Sequence, residues 1–251
     1  MKKYLSYPLS LLFYLCFGSI LVLFHGVQWT ALNTLGYAAH KKSVDLLNFF
    51  ILCCLGLLGT RIKFEYEAPL PEKGSVIFVA NHQSTYDIPP LIWKLRRYHA
   101  KFVSKKELGK GIPSVSFNLR HGGSVLIDRK KPKEALELIE SFGTRLAEKN
   151  HAVIIFPEGT RSKDGQMKKF HRSGLMALFK TMPEAKIVPV SIRNSWKFAA
   201  QKYFPMPLGN CVFFKFHHSL TNDQNQFHEL IETLETTLKK EVEVTFTNVE
   251  V

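Results

Sequence analysis

Between Tyr4 and His40 the chain carries no Asp, Glu, Lys or Arg. So long a stretch without charge excludes a solvated linker. Its most apolar part, Leu9 to Val27, would span about 28 Å as a helix, close to the hydrocarbon thickness of a bilayer. Other absences narrow the chemistry. There is no G-x-S-x-G elbow for a serine hydrolase, no Walker A loop and no G-x-G-x-x-G turn for a nucleotide. The four cysteines, Cys16, Cys53, Cys54 and Cys211, form no C-x-x-C pair and no zinc-ligand spacing. Reduced, inert thiols are expected, which is compatible with a domain facing the cytoplasm. Internal repeats, low-complexity stretches and long linkers are also missing.

The chain is 251 residues long, 45% hydrophobic and 22% charged, which fits one ordered domain with an appendage and excludes a disordered chain. Its net charge of +13 favours polyanions: nucleic acid, anionic headgroups or phosphorylated substrates. A second uncharged run, Leu46 to Thr60, would reach only about 22 Å as a helix. Lys2 and Lys3 before an apolar run look like the start of a secretory signal. No small-residue cleavage site ends that run, however, and a second apolar run follows. Residues 1–60 therefore read as a retained, membrane-embedded helical pair, and residues 61–251 as a separate domain. Basic residues flank all three ends of the pair (Lys2/Lys3, Lys41/Lys42, Arg61/Lys63), so they give no orientation. A hairpin in one leaflet fits as well as one or two spans. Two buried core helices are the soluble alternative, against which the length of the first run speaks.

After Arg61, short β-rich runs alternate with helical stretches. The expected strands are Ile62–Glu67, Val76–Ala80, Lys101–Val103, Ser124–Ile127, Ala152–Phe156, Ile187–Ile192 and Val212–His217. Pro132–Lys149 reads as an amphipathic helix, and Phe227, Leu230, Ile231, Leu234 and Leu238 mark another. The pattern predicts an α/β fold, a mostly parallel or mixed sheet flanked by helices. The tail Val242–Thr247 alternates β-formers with polar residues and is assigned to no element.

Three expected strands run into polar clusters, and the carboxyl ends of strands are where α/β sheets bind ligands. The clusters are Asn81 to Asp87, Asp128-Arg129 and Pro157 to Ser162. A carboxylate on one imidazole nitrogen fixes the tautomer and leaves the other nitrogen as a base. His82 and Asp87 can meet if His82 lies on the loop before a helix that carries Asp87, with Ser84 as a cap. By spacing alone, a surface histidine is the favoured reading. The Phe156–Arg161 turn, with Gly159, Thr160 and the Arg161 fork, suits a phosphate cradle; an ordinary β-turn is the alternative. Lys163, Lys168, Lys169, His171 and Arg172 add a basic segment suited to anionic headgroups. His217-His218 reads as a strand end without metal.

Asn81-His82 with Asp87, Gly123 through Arg129, Phe156 through Arg161, and Val188-Pro189-Val190 resemble, in order, the four motif blocks of the glycerolipid acyltransferase family. The resemblance runs from about Arg61 to Arg193, and the N-terminal pair fits the family's membrane anchor. It implies transfer of a fatty acyl group from acyl-CoA or acyl-carrier protein to the free hydroxyl of a lysophospholipid, giving phosphatidic acid. His82 is then the general base and Asp87 its orienting partner. Glu158, Gly159, Thr160 and Arg161 form the acceptor's phosphate site, assisted by Arg129. Lys105, or its neighbour Lys106, matches a further basic position. No cofactor or metal is implied, because the thioester donor is a substrate. The expected partners are the lipid bilayer, the lysophospholipid and the donor, with the catalytic domain facing the cytoplasm, at the inner membrane if bacterial. Direct transfer is expected, since no activated Ser or Cys is evident. Within the fold, glycerol 3-phosphate, another lysophospholipid or a non-glycerol hydroxylated lipid are alternative acceptors. A membrane-tethered nucleic-acid- or lipid-binding protein is the non-enzymatic alternative. Its nucleic-acid form lacks the aromatic-and-basic patterns of RNA-binding modules, so no nucleic acid partner is expected. The sequence carries no signal of oligomeric state.

Overall fold

Short apolar runs rich in Val, Ile and Phe, bounded by turn-forming residues, pair into sheets that can be buried on both faces. The computed structural model describes residues 2–247. Among them lie β1 (Arg61–Tyr66), β2 (Val76–Ala80), β3 (Lys101–Lys105), β4 (Val125–Ile127), β5 (Val153–Ile155), β6 (Lys186–Arg193) and β7 (Cys211–Phe216). They form one sheet in the order β1-β7-β6-β2-β5-β3-β4. Neighbours are parallel except β6 and β7, which are antiparallel. Each expected strand is present, with its ends displaced by at most one residue, or by two at the end of β3.

β2 is buried along its whole length, and its side chains divide by alternation between two cores. Ile77 and Val79 pack against α5 (Pro132–Glu148), α6 (Arg172–Thr181) and α7 (Phe227–Thr247). Val76 and Phe78 face the other layer, with α1 (Lys2–Thr30), α2 (Tyr37–Leu57) and α3 (Ile88–Lys94). Burying a side chain of this size stabilises by roughly 1.5–3 kcal/mol, so both layers contribute to holding the sheet. A short helix, α4 (Val115–His121), packs on α1.

Three regions differ from the sequence reading. The second helix begins at Tyr37, not near Leu46, because Lys41 pairs with Asp45 one turn on (2.5 Å) and the charged turn stays helical. A π-helical turn, Ala31–Leu35, and Gly36 at φ +81° join it to α1. The tail 242–247 continues α7: Ile231, Leu234, Leu238 and Val242 recur at three- and four-residue spacing and are all buried. The last four residues of the expected second domain, 248–251, lie outside the described residues.

The helix pair has two unlike faces. Inward, Phe13 of α1 and Leu55 of α2 belong to the same core as Val76 and Phe78. Ser10 Oγ accepts from the Met206 N–H (2.7 Å), Tyr14 OH donates to the Tyr203 carbonyl (2.5 Å), and Ser114 Oγ donates to the Leu21 carbonyl (2.6 Å). Outward, Leu11, Leu15, Val22 and Leu23 stay more than half exposed. A contiguous apolar face of this kind marks a surface that meets protein or lipid.

Candidate active site

β2, β5, β3 and β4 are consecutive parallel neighbours, so the residues after them emerge along one edge of the sheet. Asn81 follows β2 and bridges to β6: its Nδ2 donates to the Ile192 carbonyl (2.9 Å) and its Oδ1 accepts from the Ile192 N–H (2.6 Å). Ser84 then caps the turn Thr85–Asp87. Its Oγ accepts from the Tyr86 N–H (3.0 Å), while Asp87 accepts from the Ser84 N–H (2.9 Å), a reciprocal capping box. Pro89 and Pro90 in the first turn of α3 suit a helix start, where no N–H is needed.

This local fold brings His82 back over Asp87. Asp87 Oδ2 lies 2.8 Å from His82 Nδ1 and also accepts from the Gln83 N–H (2.7 Å). Facing an oxygen that already accepts two N–H groups, Nδ1 is the protonated nitrogen, and Nε2 carries the lone pair. The Asp87 side chain is fully buried, whereas that of His82 is 18% exposed. The imidazole stacks on Phe156 at a centroid distance of 4.2 Å, which leaves its ring plane little freedom.

The Phe156–Ser162 turn wraps around the same histidine. The Ser162 N–H donates to the His82 carbonyl (2.8 Å), and Glu158 Oε1 accepts from the His82 N–H (2.7 Å). Glu158 Oε2 accepts from the Lys168 N–H (2.7 Å). Expected among the acceptor-binding residues, Glu158 is 1% exposed, with both carboxyl oxygens committed to the main chain. It clamps the His82 loop to the segment beyond Asp164, and a carboxylate facing a phosphate would repel it. Burial pushes its pKa up to about 7, against the lowering effect of the two N–H donors.

Gly159 has φ +68°, and a Cβ there would lie 2.9 Å from the His171 ring, so the turn requires glycine. Its carbonyl accepts from Arg129, which brings that guanidinium onto the turn. Thr160 Oγ1 accepts from Lys168 Nζ (2.9 Å). Arg161 is exposed, and its Nη1 donates to Thr85 Oγ1 (2.5 Å) and to the Tyr203 hydroxyl (3.0 Å). Lys105 stands on the same edge at the end of β3, but its amino group pairs with Glu107 (3.2 Å), an exposed pair outside this network. Thr85 and Phe156 lay within the clusters and motif blocks read from the sequence but were given no role, and Lys168 and Tyr203 were not assigned to the site. Lys168 gave a signal as part of the basic run, and Tyr203 gave none. His217 is a strand-end residue, bonded to Ser191 (2.7 Å) and Glu67 (3.0 Å).

A histidine fixed by a carboxylate, with its second nitrogen facing outward, can take a proton from a hydroxyl; the neighbouring guanidinium can hold an anion. Residues 61–193 match the family model described as Acyltransferase. The chain belongs to the acyltransferase family. It is 35% identical over 129 residues to a 1-acyl-sn-glycerol-3-phosphate acyltransferase of Helicobacter pylori, a match covering 50% of this chain and 52% of the relative. The chain thus spans about half the length of that relative. A protein of the same name from Limnanthes douglasii is 26% identical over 203 residues, covering 78% and 69% of the two chains. The crystal structure of the 1-acyl-sn-glycerophosphate (LPA) acyltransferase from Thermotoga maritima superposes with a TM-score of 0.77 at 26% identity, covering 98% of both chains. The resemblance carried by the four motif blocks and the expected α/β class are therefore both borne out, and the helix pair lies within the matched fold.

Proposed function

We propose that this acyltransferase moves a fatty acyl group from an acyl-CoA or acyl-carrier-protein thioester to the free hydroxyl of 1-acylglycerol 3-phosphate, giving phosphatidic acid at a membrane surface. The observation that carries the reading is the 2.8 Å contact between His82 Nδ1 and buried Asp87, which leaves Nε2 open, in a turn whose Thr85 binds Arg161. Nε2 takes the hydroxyl proton as the oxygen attacks the thioester carbonyl, and Asp87 stabilises the imidazolium that forms. Collapse of the tetrahedral intermediate breaks the carbon–sulfur bond, and the imidazolium returns its proton to the departing thiolate. No acyl-enzyme is needed.

Arg161 meets the acceptor's phosphate, with Arg129 adding positive charge on the turn, while Gly159 and Thr160 shape it and Lys105 stays paired with Glu107. Glu158 holds the loop rather than the ligand. α1 is long and apolar enough to enter a bilayer, and its exposed leucines support membrane seating of the site, where donor tail, acceptor and product all reside. The reading places the catalytic domain on the cytoplasmic side, where thioester donors are made.

The test is the full chain in phospholipid vesicles, offered acyl-CoA or acyl-carrier-protein donors. The acceptors are 1-acylglycerol 3-phosphate, glycerol 3-phosphate and monoacylglycerol. Phosphatidic acid is the expected main product, and His82→Ala is expected to lower kcat by about 10²–10⁴-fold with vesicle binding retained. Equal turnover of monoacylglycerol, or undiminished turnover by His82→Ala, would overturn the reading.

A further inference from the structure

The segment between Phe198 and Cys211 joins β6 to β7 and carries no catalytic motif, yet one of its side chains reaches the edge where the reaction is placed. We infer that Tyr203 is a positioning residue for the acceptor's phosphate, acting by holding the Arg161 guanidinium, and that α1 fixes Tyr203 in turn. The inference rests on the proposed role of Arg161 and adds a residue that no motif block contains.

Arg161 is exposed, and a free arginine on a surface samples many rotamers, whose entropy is lost when a ligand binds. Here Nη1 donates to two oxygens at once, Thr85 Oγ1 and the Tyr203 hydroxyl, which themselves lie 3.5 Å apart. Two acceptors on one nitrogen fix the plane of the guanidinium. Nε and Nη2 bond to no other acceptor among the described residues, so this second edge of the fork is available to a phosphate as a bidentate donor. Thr85 belongs to the turn between His82 and Asp87. The same arginine is thereby registered against the base, and the acceptor's hydroxyl is held at a set distance from Nε2 when its phosphate is bound.

Tyr203 is itself fixed at three points. Its backbone has φ +68°, directly after Lys202 at φ +52°, a left-handed pair that a bulky aromatic residue adopts only where its surroundings hold it. Its carbonyl accepts from Tyr14 OH of α1 (2.5 Å). Its ring meets Tyr86 edge-on at 6.1 Å, and the next residue, Phe204, meets Tyr7 of α1 edge-on at 5.7 Å. The contacts form a continuous path from the apolar helix, through Tyr14, the Tyr203 main chain and the Tyr203 phenol, to Arg161. Packing alone would require the ring but not its hydroxyl. The hydroxyl is what touches the arginine.

The experiment is steady-state kinetics of Tyr203→Phe in the full chain on vesicles, with Arg161→Ala and the double variant alongside. Removing one oxygen keeps the ring contacts, so the thermal midpoint is expected to stay with that of the parent. The KM for 1-acylglycerol 3-phosphate is expected to rise on the order of tenfold, with kcat and the donor KM little changed. Residual turnover of monoacylglycerol, which has no phosphate, is expected to be unaffected. In the Arg161→Ala background the second substitution is expected to add nothing, because the arginine through which it acts is gone. An unchanged acceptor KM, an equal loss on monoacylglycerol, or a full additional loss in the Arg161→Ala background would overturn the inference. If Arg161→Ala raises the acceptor KM and Tyr203→Phe does not, only the role of Tyr203 falls. If Arg161→Ala leaves it unchanged, the phosphate site proposed above falls with it.

Discussion

His82 is gripped by two buried carboxyl groups, Asp87 on its ring nitrogen and Glu158 on its main-chain N–H. The second grip has a pH signature. Glu158 has its pKa raised from the usual 4.5 to about 7, with desolvation as the leading cause. Between those values the folded protein keeps a proton that the unfolded chain has released. The contribution of this group to stability is therefore complete below about pH 4.5 and is lost as pH rises towards 7. The full swing is about 3 kcal/mol. Glu158→Gln abolishes the titration, so the unfolding free energy of the parent relative to this variant is expected to fall by that order from pH 4.5 to 7.5. Chemical unfolding in detergent micelles checks it, and a constant difference across the range would refute it. At this scale the sequence was partly legible. The roles of His82 and Asp87 came from the resemblance of the four motif blocks; the strand end at Ala80, the capping Ser84 and the helix start at Ile88 only permitted the two to meet. Tyr203 did not stand out, because it is 42 residues from Arg161 and a loop carries no periodicity to mark what it touches. Glu158 was found in the right turn but with the wrong contacts expected of it. Sequence shows that a carboxylate is present, not which way the turn points it.

Strands and helices were more legible, since burial on one or both faces leaves a pattern with a period. All seven strands followed from apolar runs, and α5 from its spacing. α6 was missed because its first residue, Arg172, belongs to a run read only as charge. The tail 242–247 was missed because Val and Thr favour strands in isolation, whereas here the buried stripe of α7 overrides that propensity. The helix pair had the outline of an appendage, but its inward face is core. Phe13 of α1 is fully buried, with Phe17 stacked beside it (5.6 Å) and Tyr86 edge-on (5.8 Å). Phe13→Ala is expected to cost about 3–5 kcal/mol, the range for a large buried aromatic. A lowered denaturation midpoint in detergent, without loss of vesicle binding, is the expected outcome. A cost below 1 kcal/mol would show that α1 is only tethered to the domain.

For the whole molecule, one side of α1 is core and the other is covered with exposed leucine and valine, so a single helix supports the fold and, on the proposed function, its seating in lipid. Leu15 and Leu23 are 61% and 65% exposed and can be altered without opening the core. The double substitution Leu15→Glu, Leu23→Glu is expected to abolish co-sedimentation with vesicles and to leave the unfolding midpoint of the detergent-solubilised protein close to the parent's. Retained co-sedimentation would move the membrane contact elsewhere, to the basic segment after Ser162. The contact of Phe13 with Tyr86 has a wider consequence. Tyr86 sits inside the His82–Asp87 turn, so the helix proposed to float the protein also packs against the turn that holds the proposed base. Under that proposal, a molecule torn from its bilayer, its helix free to tilt, would loosen that contact at the same moment. On the proposed function, waste of the thioester on water is then curbed by architecture, because the proposed acid–base pair is in order only where both lipids are within reach.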